Sequence, residues 1–301
     1  MSVAVEAVSV LTGWGQGTDA LPADAVRAAG GRAVIPLGRP ALDGDRFRRA
    51  TRECLLGVAA VDALLRESGI DRDIIRGCST ALLYVTAAAY GASNQAFIVA
   101  EAMRQARTEG RLTEKPAGSV VAEAARQART EGGLTAKRPG SVTAGGTYFP
   151  YTAPSTMAGE VAIEFELTGP YGILIGGAAA TIDALWQATR LIADGRCERA
   201  LVLAVETFDE CADLYSRGRW LVKRPLVEAA ACALLVPGDR RVRYEAPRTP
   251  SALETLARAR AGETFACGPL IALALARAAG AADSVTLTGE WRGRRAGLYW
   301  E

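Results

Sequence analysis

Histidine is absent from the 301 residues of this chain. Its absence excludes a Ser-His or Cys-His nucleophile pair, a histidine general base and a histidine-bearing metal site within the chain. We therefore predict neither a metal site nor a cofactor, and any chemistry must use other groups.

Lysine is scarce, occurring only at Lys115, Lys137 and Lys223, so arginine supplies nearly all of the basic charge. The 35 basic and 33 acidic residues almost cancel, which gives a net charge of +2. This balance excludes a global electrostatic attraction to nucleic acid or to an anionic membrane. A small molecule or another protein is the expected partner.

No apolar stretch approaches the length that crosses a bilayer, so membrane insertion is not expected. The opening residues, MSVAVEAVSVLTGWGQG, lack the basic segment and the unbroken apolar segment of a secretory signal. These features predict a cytoplasmic protein.

The six cysteines form no C-x-x-C pair, which favours buried free thiols in a reducing compartment; they are Cys54, Cys78, Cys197, Cys211, Cys232 and Cys267.

Apolar residues make up 50% of the chain and follow an alternation of strand and helix patterns, which predicts a layered α/β fold. One large domain or two intimate halves is expected at this length. Predicted strands cover residues 3–11, 81–86, 172–176, 200–205, 229–236, 284–289 and 295–299. Predicted helices cover residues 46–68, 90–107, 157–167, 178–193, 251–261 and 269–279.

A tandem duplication interrupts this alternation. Residues 99–120 (VAEAMRQARTEGRLTEKPAGSV) are followed at once by residues 121–142 (VAEAARQARTEGGLTAKRPGSV), with 17 of 22 positions identical. Two copies are too few for a solenoid, so the duplication indicates an inserted helix-and-loop excursion. A tolerated surface insertion and a role in partner contact are both open.

The block over residues 149–208 reads FPYTAPSTMAGEVAIEFELTGPYGILIGGAAATIDALWQATRLIADGRCERALVLAVETF. It resembles the condensing-enzyme (β-ketoacyl synthase) branch of the thiolase superfamily. The resemblance implies a thiolase-like layered αβαβα fold with a ketosynthase-like half over residues 1–237. Only about 64 residues follow Pro237, so residues 238–301 would form a shortened second half packing on the same core.

The residues that carry chemistry in active relatives are missing here. Such enzymes place a thiol at the tip of a buried helix, where the helix dipole and free amides acidify it. The matching position falls on Ala178, whose methyl group can neither ionise nor accept an acyl chain. One histidine region of the family is deleted, and the other corresponds to residues 262–269. Cys267 in that region could in principle act as a substitute nucleophile, but its small apolar neighbours and the absence of histidine favour a structural thiol.

The resemblance implies partners as well. Thiolase-fold proteins dimerise through the strand before the nucleophile, which here is Gly172, Ile173, Leu174, Ile175 and Gly176. Likeness to chain-length factors predicts a non-catalytic subunit that pairs with an active ketosynthase. A basic run around Trp220 would contact an acyl carrier protein, unless it is an ordinary charged loop; it comprises Arg217, Arg219, Lys223 and Arg224.

Two other functions stay open: a rebuilt acyl-thioester hydrolase or decarboxylase that uses carboxylates and backbone amides, and a homodimer that only binds an acyl chain. The glycine-rich segment over residues 13–17 is expected to be a tight turn, because its spacing fails the dinucleotide-binding pattern. Glu206, Asp209 and Glu210 are expected to be solvated loop carboxylates.

Overall fold

The computed structural model describes residues 2–42, 44, 47, 50–88, 153–208, 210–211, 223–280 and 284–301. Residues 1–89 and 154–301 make up one compact unit, to which nearly all of the described residues belong. Residues 90–153 make up a second unit. The predicted helix over 90–107 and the duplication over 99–142 lie outside the described residues.

Ten strands and seven α-helices form the described part of the chain. The strands are β1 Ser2–Thr12, β2 Gly15–Gln16, β3 Val34–Ile35, β4 Thr80–Thr86, β5 Tyr171–Ile175, β6 Arg199–Glu206, β7 Leu226–Val227, β8 Ala229–Glu245, β9 Val285–Trp291 and β10 Arg294–Trp300. The helices are α1 Ala25–Ala29, α2 Arg52–Ser68, α3 Arg72–Ile75, α4 Pro154–Glu164, α5 Gly177–Ala193, α6 Ala252–Ala261 and α7 Gly268–Ala278, with a 3₁₀ turn at Phe265–Cys267.

Eight of the strands form one mixed sheet in the order β2-β1-β8-β6-β4-β5, with the β9–β10 hairpin attached to β8. The pairs β4–β5 and β4–β6 are parallel, whereas β8 is antiparallel to both β1 and β6. Every residue of β4 is buried, as is expected for a strand covered on both faces. The short strands β3 and β7 pair separately.

Helices cover both faces of the sheet, which confirms the predicted layered α/β fold. Leu83 and Val85 of β4 belong to the core that also contains the buried residues of α5 and α7. On the other face, the Ser9 hydroxyl of β1 donates to the Ala60 carbonyl of α2 at 2.7 Å. Helix α5 therefore packs against the central strands β4 and β6.

Two element boundaries differ from the sequence predictions. The helix predicted from residue 46 begins at Arg52, because the Thr51 side chain caps it by accepting from the Cys54 amide. β8 continues to Glu245 instead of ending near residue 236, since its outer half pairs with β10. The division of the chain at Pro237 stays a prediction.

Within the described ranges, no helix has both the length and the apolarity that crossing a membrane requires.

Candidate functional site

The helix tip that the resemblance assigns to the nucleophile lies where β5 passes into α5, and we call this turn at Gly176, Gly177 and Ala178 the elbow. Gly177 has φ of +56°, and a Cβ atom built there would lie 2.4 Å from Cε3 of Trp291. Only glycine fits this turn, because a side chain would meet both backbone strain and the indole ring. The next residue is Ala178, so a methyl group occupies the first turn of α5.

Ala178 is covered by the β9–β10 hairpin. It is only 7% exposed, and a Cβ atom built on Gly289 of β9 would lie 2.5 Å from the Ala178 carbonyl oxygen. The Trp291 ring also packs edge-on against Phe265, with ring centroids 5.5 Å apart. The elbow tip is therefore closed over by the chain's own C-terminal strands.

Among the described residues, a cavity of about 20 Å³ lies beside Ala178. This volume has room for about one water molecule and not for an acyl chain. Its walls include two carboxylates that the sequence did not point to, Glu254 and Glu263, together with Arg258 and Thr288. The cavity is far smaller than the pockets of about 300–1,000 Å³ that hold small-molecule ligands.

Glu263 is the more isolated of these two carboxylates. It is 5% exposed; its Oε1 accepts from the Phe265 amide at 3.1 Å, and its Oε2 has no hydrogen-bond partner among the described residues. Burial raises the pKa of this carboxyl, while the charge of Arg258 opposes the rise. A carboxyl group with a raised pKa beside a helix N-terminus was not predicted.

Glu254 is held more firmly than Glu263. Its Oε2 accepts from the Thr288 hydroxyl at 2.6 Å, and its Oε1 lies 3.2 Å from the Arg258 guanidinium. Its amide donates to the Ser251 hydroxyl at 3.1 Å. The spacing Ser251-x-x-Glu254 is a signal for a helix start, but not for a carboxylate beside the elbow.

The expectation that Glu206 is a solvated loop residue is wrong. It ends β6 and is 2% exposed. Its Oε1 accepts from the amides of Ala87 at 2.6 Å and Ala266 at 3.1 Å, and its Oε2 accepts from the Cys211 thiol at 3.0 Å. Burial raises the pKa of the Glu206 carboxyl to about 7. Glu210 is buried too, at 6% exposed, and Asp209 lies outside the described residues.

The cysteines are free, and five of the six are buried, while Cys78 is exposed. Cys267 is fully buried, and its thiol lies 3.4 Å from the carbonyl oxygens of Ala204 and Ala229. Burial raises its pKa well above the ordinary value, and the Glu206 charge raises it further. Since a thiolate is the nucleophilic form, Cys267 is a structural thiol, in agreement with the sequence prediction.

The predicted interface strand, β5, lies at one end of the sheet order. Tyr171 is 73% exposed and Ile175 is 52% exposed, and Ile163 of α4 is 64% exposed. α4 and β5 are in contact, so the three side chains belong to neighbouring elements. Exposed apolar side chains on an edge strand are typical of a surface that pairs with another chain.

The basic run is only partly described. Lys223 and Arg224 are exposed at the start of the segment that leads into β7, while Arg217 and Arg219 lie outside the described residues.

Within the ranges that the structure covers, no group of three or more His, Cys, Asp or Glu side chains is placed to hold a metal ion.

Residues 40–220 match the family model of the β-ketoacyl synthase N-terminal domain. The chain belongs to this family. The match covers more than half of the chain and includes the elbow and β5, which confirms the predicted family. No curated protein sequence matches this β-ketoacyl synthase-like chain.

Solved structures of ketosynthases have the same fold. The ishigamide ketosynthase/chain length factor is 17% identical with a TM-score of 0.65, and the alignment covers 100% of this chain and 99% of that chain. A second solved structure is a type II polyketide synthase acyl-carrier protein in complex with its ketosynthase bound to the hexaketide. It is 13% identical with a TM-score of 0.66, and the alignment covers 100% of this chain and 99% of that chain.

A third solved structure is a ketosynthase in complex with its chain length factor from Xenorhabdus doucetiae. It is 13% identical with a TM-score of 0.56, and the alignment covers 100% of this chain and 99% of that chain. Together these structures confirm the predicted thiolase-like ketosynthase fold.

Proposed function

We propose that this chain is a non-catalytic, chain-length-factor-like subunit that pairs with an active β-ketoacyl-acyl-carrier-protein synthase in fatty acid, polyene or polyketide biosynthesis. The observation that carries the proposal is the Ala178 methyl group at the elbow, closed over by Gly289 and Trp291. A chain without histidine has no imidazole to assist condensation at that place.

The edge strand β5 supports a partner of the same fold. Its exposed residues Tyr171 and Ile175 flank Gly172, Ile173 and Leu174, which are all partly exposed as well. An edge strand leaves backbone donors and acceptors free for a neighbouring strand. Two of the similar structures bear titles that name a ketosynthase with a chain length factor, which supports an active ketosynthase as the partner.

Co-expression with a neighbouring cysteine-bearing ketosynthase tests the pairing. Purification through a tag on one subunit should recover both, and the double variant Tyr171→Asp/Ile175→Lys should lose the partner, because charges would be buried on the pairing strand. The matched control is Val26→Asp on α1, an apolar residue with 51% exposure. Recovery of this chain only as a stable homodimer would contradict the proposal.

The proposed contact for an acyl carrier protein is the basic run Arg217, Arg219, Lys223 and Arg224. Its support is charge complementarity to an acidic carrier and the exposure of Lys223 and Arg224. One of the similar structures is titled as an acyl-carrier protein in complex with its ketosynthase. Carrier-protein binding that is unchanged by charge reversal at these residues would count against this contact.

A rebuilt acyl-thioester enzyme is the second candidate function, and the buried carboxyl of Glu263 beside the start of α5 is the observation that favours it. A carboxyl with a raised pKa is a typical general acid or base. Against it stands the cavity of about 20 Å³, which has no room for a thioester. Turnover of an acyl or malonyl thioester by the isolated protein would favour this second function.

Restoring a thiol at the elbow should not restore acyl transfer. We expect the variant Ala178→Cys, in a Cys78→Ala background that removes the exposed thiol, to form no acyl-enzyme with acyl thioesters. The cysteine would lie beneath Gly289 without room for a substrate. Intact-protein mass spectrometry measures the adduct, and the Cys78→Ala parent is the control. Stoichiometric acylation of Ala178→Cys would show that the hairpin opens and that the non-catalytic proposal is incomplete.

A further inference from the structure

A second cavity, of about 400 Å³, lies at the end of the sheet away from the elbow. Ala4 and Val5, near the start of β1, are among the residues that line it. Strands β1 and β6 are both antiparallel to β8, and β6 and β5 are both parallel to β4. The start of β1 and the C-terminal end of β5 therefore lie at opposite ends of the sheet.

Most of the cavity wall is apolar and belongs to rigid elements. Leu273 of α7, Val285 of β9 and Trp300 of β10 line it, and these side chains are 2%, 7% and 3% exposed. Cavities of about 300–1,000 Å³ with mainly apolar walls are the usual binding sites for small molecules. An apolar group of a ligand could pack against these three side chains, because none of them carries a charge.

Two arginines complete the lining, and no acidic residue is among the described residues that form it. Arg277 is held in place, because its guanidinium donates to the carbonyl oxygens of Val5 and Glu6, the second at 2.9 Å. Arg240 is half-buried on β8. Guanidinium groups bind carboxylates and phosphates through paired hydrogen bonds, so the lining is complementary to an anion.

We propose that this cavity binds a small amphiphile with an anionic head and an apolar body. The apolar body packs on Leu273, Val285 and Trp300, and the head binds Arg240 and Arg277. This site is separate from Ala178, and it does not depend on whether the chain pairs with a ketosynthase.

Isothermal titration calorimetry of the full chain tests the site with octanoate and octyl phosphate, which share an apolar body and differ in the anionic head. One of them should bind with 1:1 stoichiometry and Kd below about 1 mM. Arg240→Gln should weaken that binding about tenfold, the effect of about one charge-assisted hydrogen bond. The matched control is Arg241→Gln, an exposed neighbour that does not line the cavity and should change binding less than about twofold.

Two further titrations test the apolar body and the anionic head of the ligand individually. Octanol lacks the charge and inorganic phosphate lacks the apolar body, so each should bind at least about tenfold more weakly than the better amphiphile. Val285→Phe should abolish binding by filling the cavity, with thermal unfolding used to confirm that the variant folds. Absence of binding by both amphiphiles, equal binding of octanol, or an equal loss in Arg241→Gln would each overturn the proposal.

Discussion

Replacing Arg52 by methionine is expected to lower the free energy of unfolding by about 3–5 kcal/mol, because it leaves Glu228 charged and buried without its cation. Glu228 is 3% exposed. Its Oε1 accepts from Nε of Arg52 at 3.1 Å and from the Phe208 amide at 2.8 Å, and its Oε2 accepts from Nη2 of Arg52 at 2.5 Å. The Leu37 amide donates to the same Oε2 at 2.8 Å.

This pair joins α2, the segment at Leu37 and the residue that precedes β8, so its loss would affect several elements at once. Urea unfolding monitored by circular dichroism gives the free energy, provided that the slope with denaturant is unchanged. The control is Arg66→Met on the same helix. Arg66 lies 3.7 Å from Asp62, with side chains 64% and 55% exposed, and such a surface pair contributes less than about 1 kcal/mol.

The double variant Arg52→Met/Glu228→Gln distinguishes the ion pair from general packing at Arg52. Removing both charges should recover part of the lost stability, because no uncompensated carboxylate remains. Equal destabilisation by Arg52→Met and Arg66→Met would show that the buried pair contributes no more than an exposed one.

The second large effect is a pH dependence that arises from Glu206. Its pKa in the folded chain is raised to about 7, with burial as the largest cause, so the folded state holds the proton more tightly than the unfolded state. The stability that this group contributes is complete below its unfolded pKa of about 4.3. It is lost as the pH rises through about 7. The complete loss is about 3–4 kcal/mol, since each pKa unit corresponds to about 1.4 kcal/mol.

Glu206→Gln removes this titration while keeping a carbonyl oxygen for the amides of Ala87 and Ala266. The free energy of unfolding of the variant minus that of the parent should therefore rise by about 3 kcal/mol between about pH 4.5 and pH 8. The difference is the proper measure, because burial also raises the pKa values of Glu53 and Glu263. Glu6→Gln, at an exposed position, is the control. A constant difference for Glu206→Gln would show that its hydrogen-bond donors outweigh burial.

The strands that hold the elbow could be predicted because their apolar runs are short, continuous and bounded by turn residues. β4 and β6 match their predictions closely, since each is buried along nearly its whole length. The far end of β8 could not be predicted in this way. Its residues beyond Pro237 are largely exposed and polar, and they form a strand because β10 supplies hydrogen-bond partners.

The candidate site was predicted in part. The resemblance places Ala178 at the tip of a helix, and the structure has Ala178 in the first turn of α5. The carboxylates Glu254 and Glu263 were missed, because they are distant from Ala178 in the sequence and reach the cavity only through folding. The expectation that Glu206 is a solvated loop carboxylate is wrong, because Glu206 is the last residue of β6 and is buried. Local sequence does not show which other segment will cover a strand end.

The sequence by itself determined that the chain has no histidine, that a methyl group stands at the elbow, and that strands and helices alternate as in β-ketoacyl synthases. The absence of histidine and the alternation follow from composition and local pattern, and the place of the methyl group is what the resemblance to the family implies. None of these needs knowledge of distant contacts. Tertiary structure alone decided that the β9–β10 hairpin closes over Ala178, that Glu206 is buried, and that Trp300 lines a cavity with two arginines. Burial and pKa depend on which remote segments exclude water from a group, and that is settled only when the chain packs.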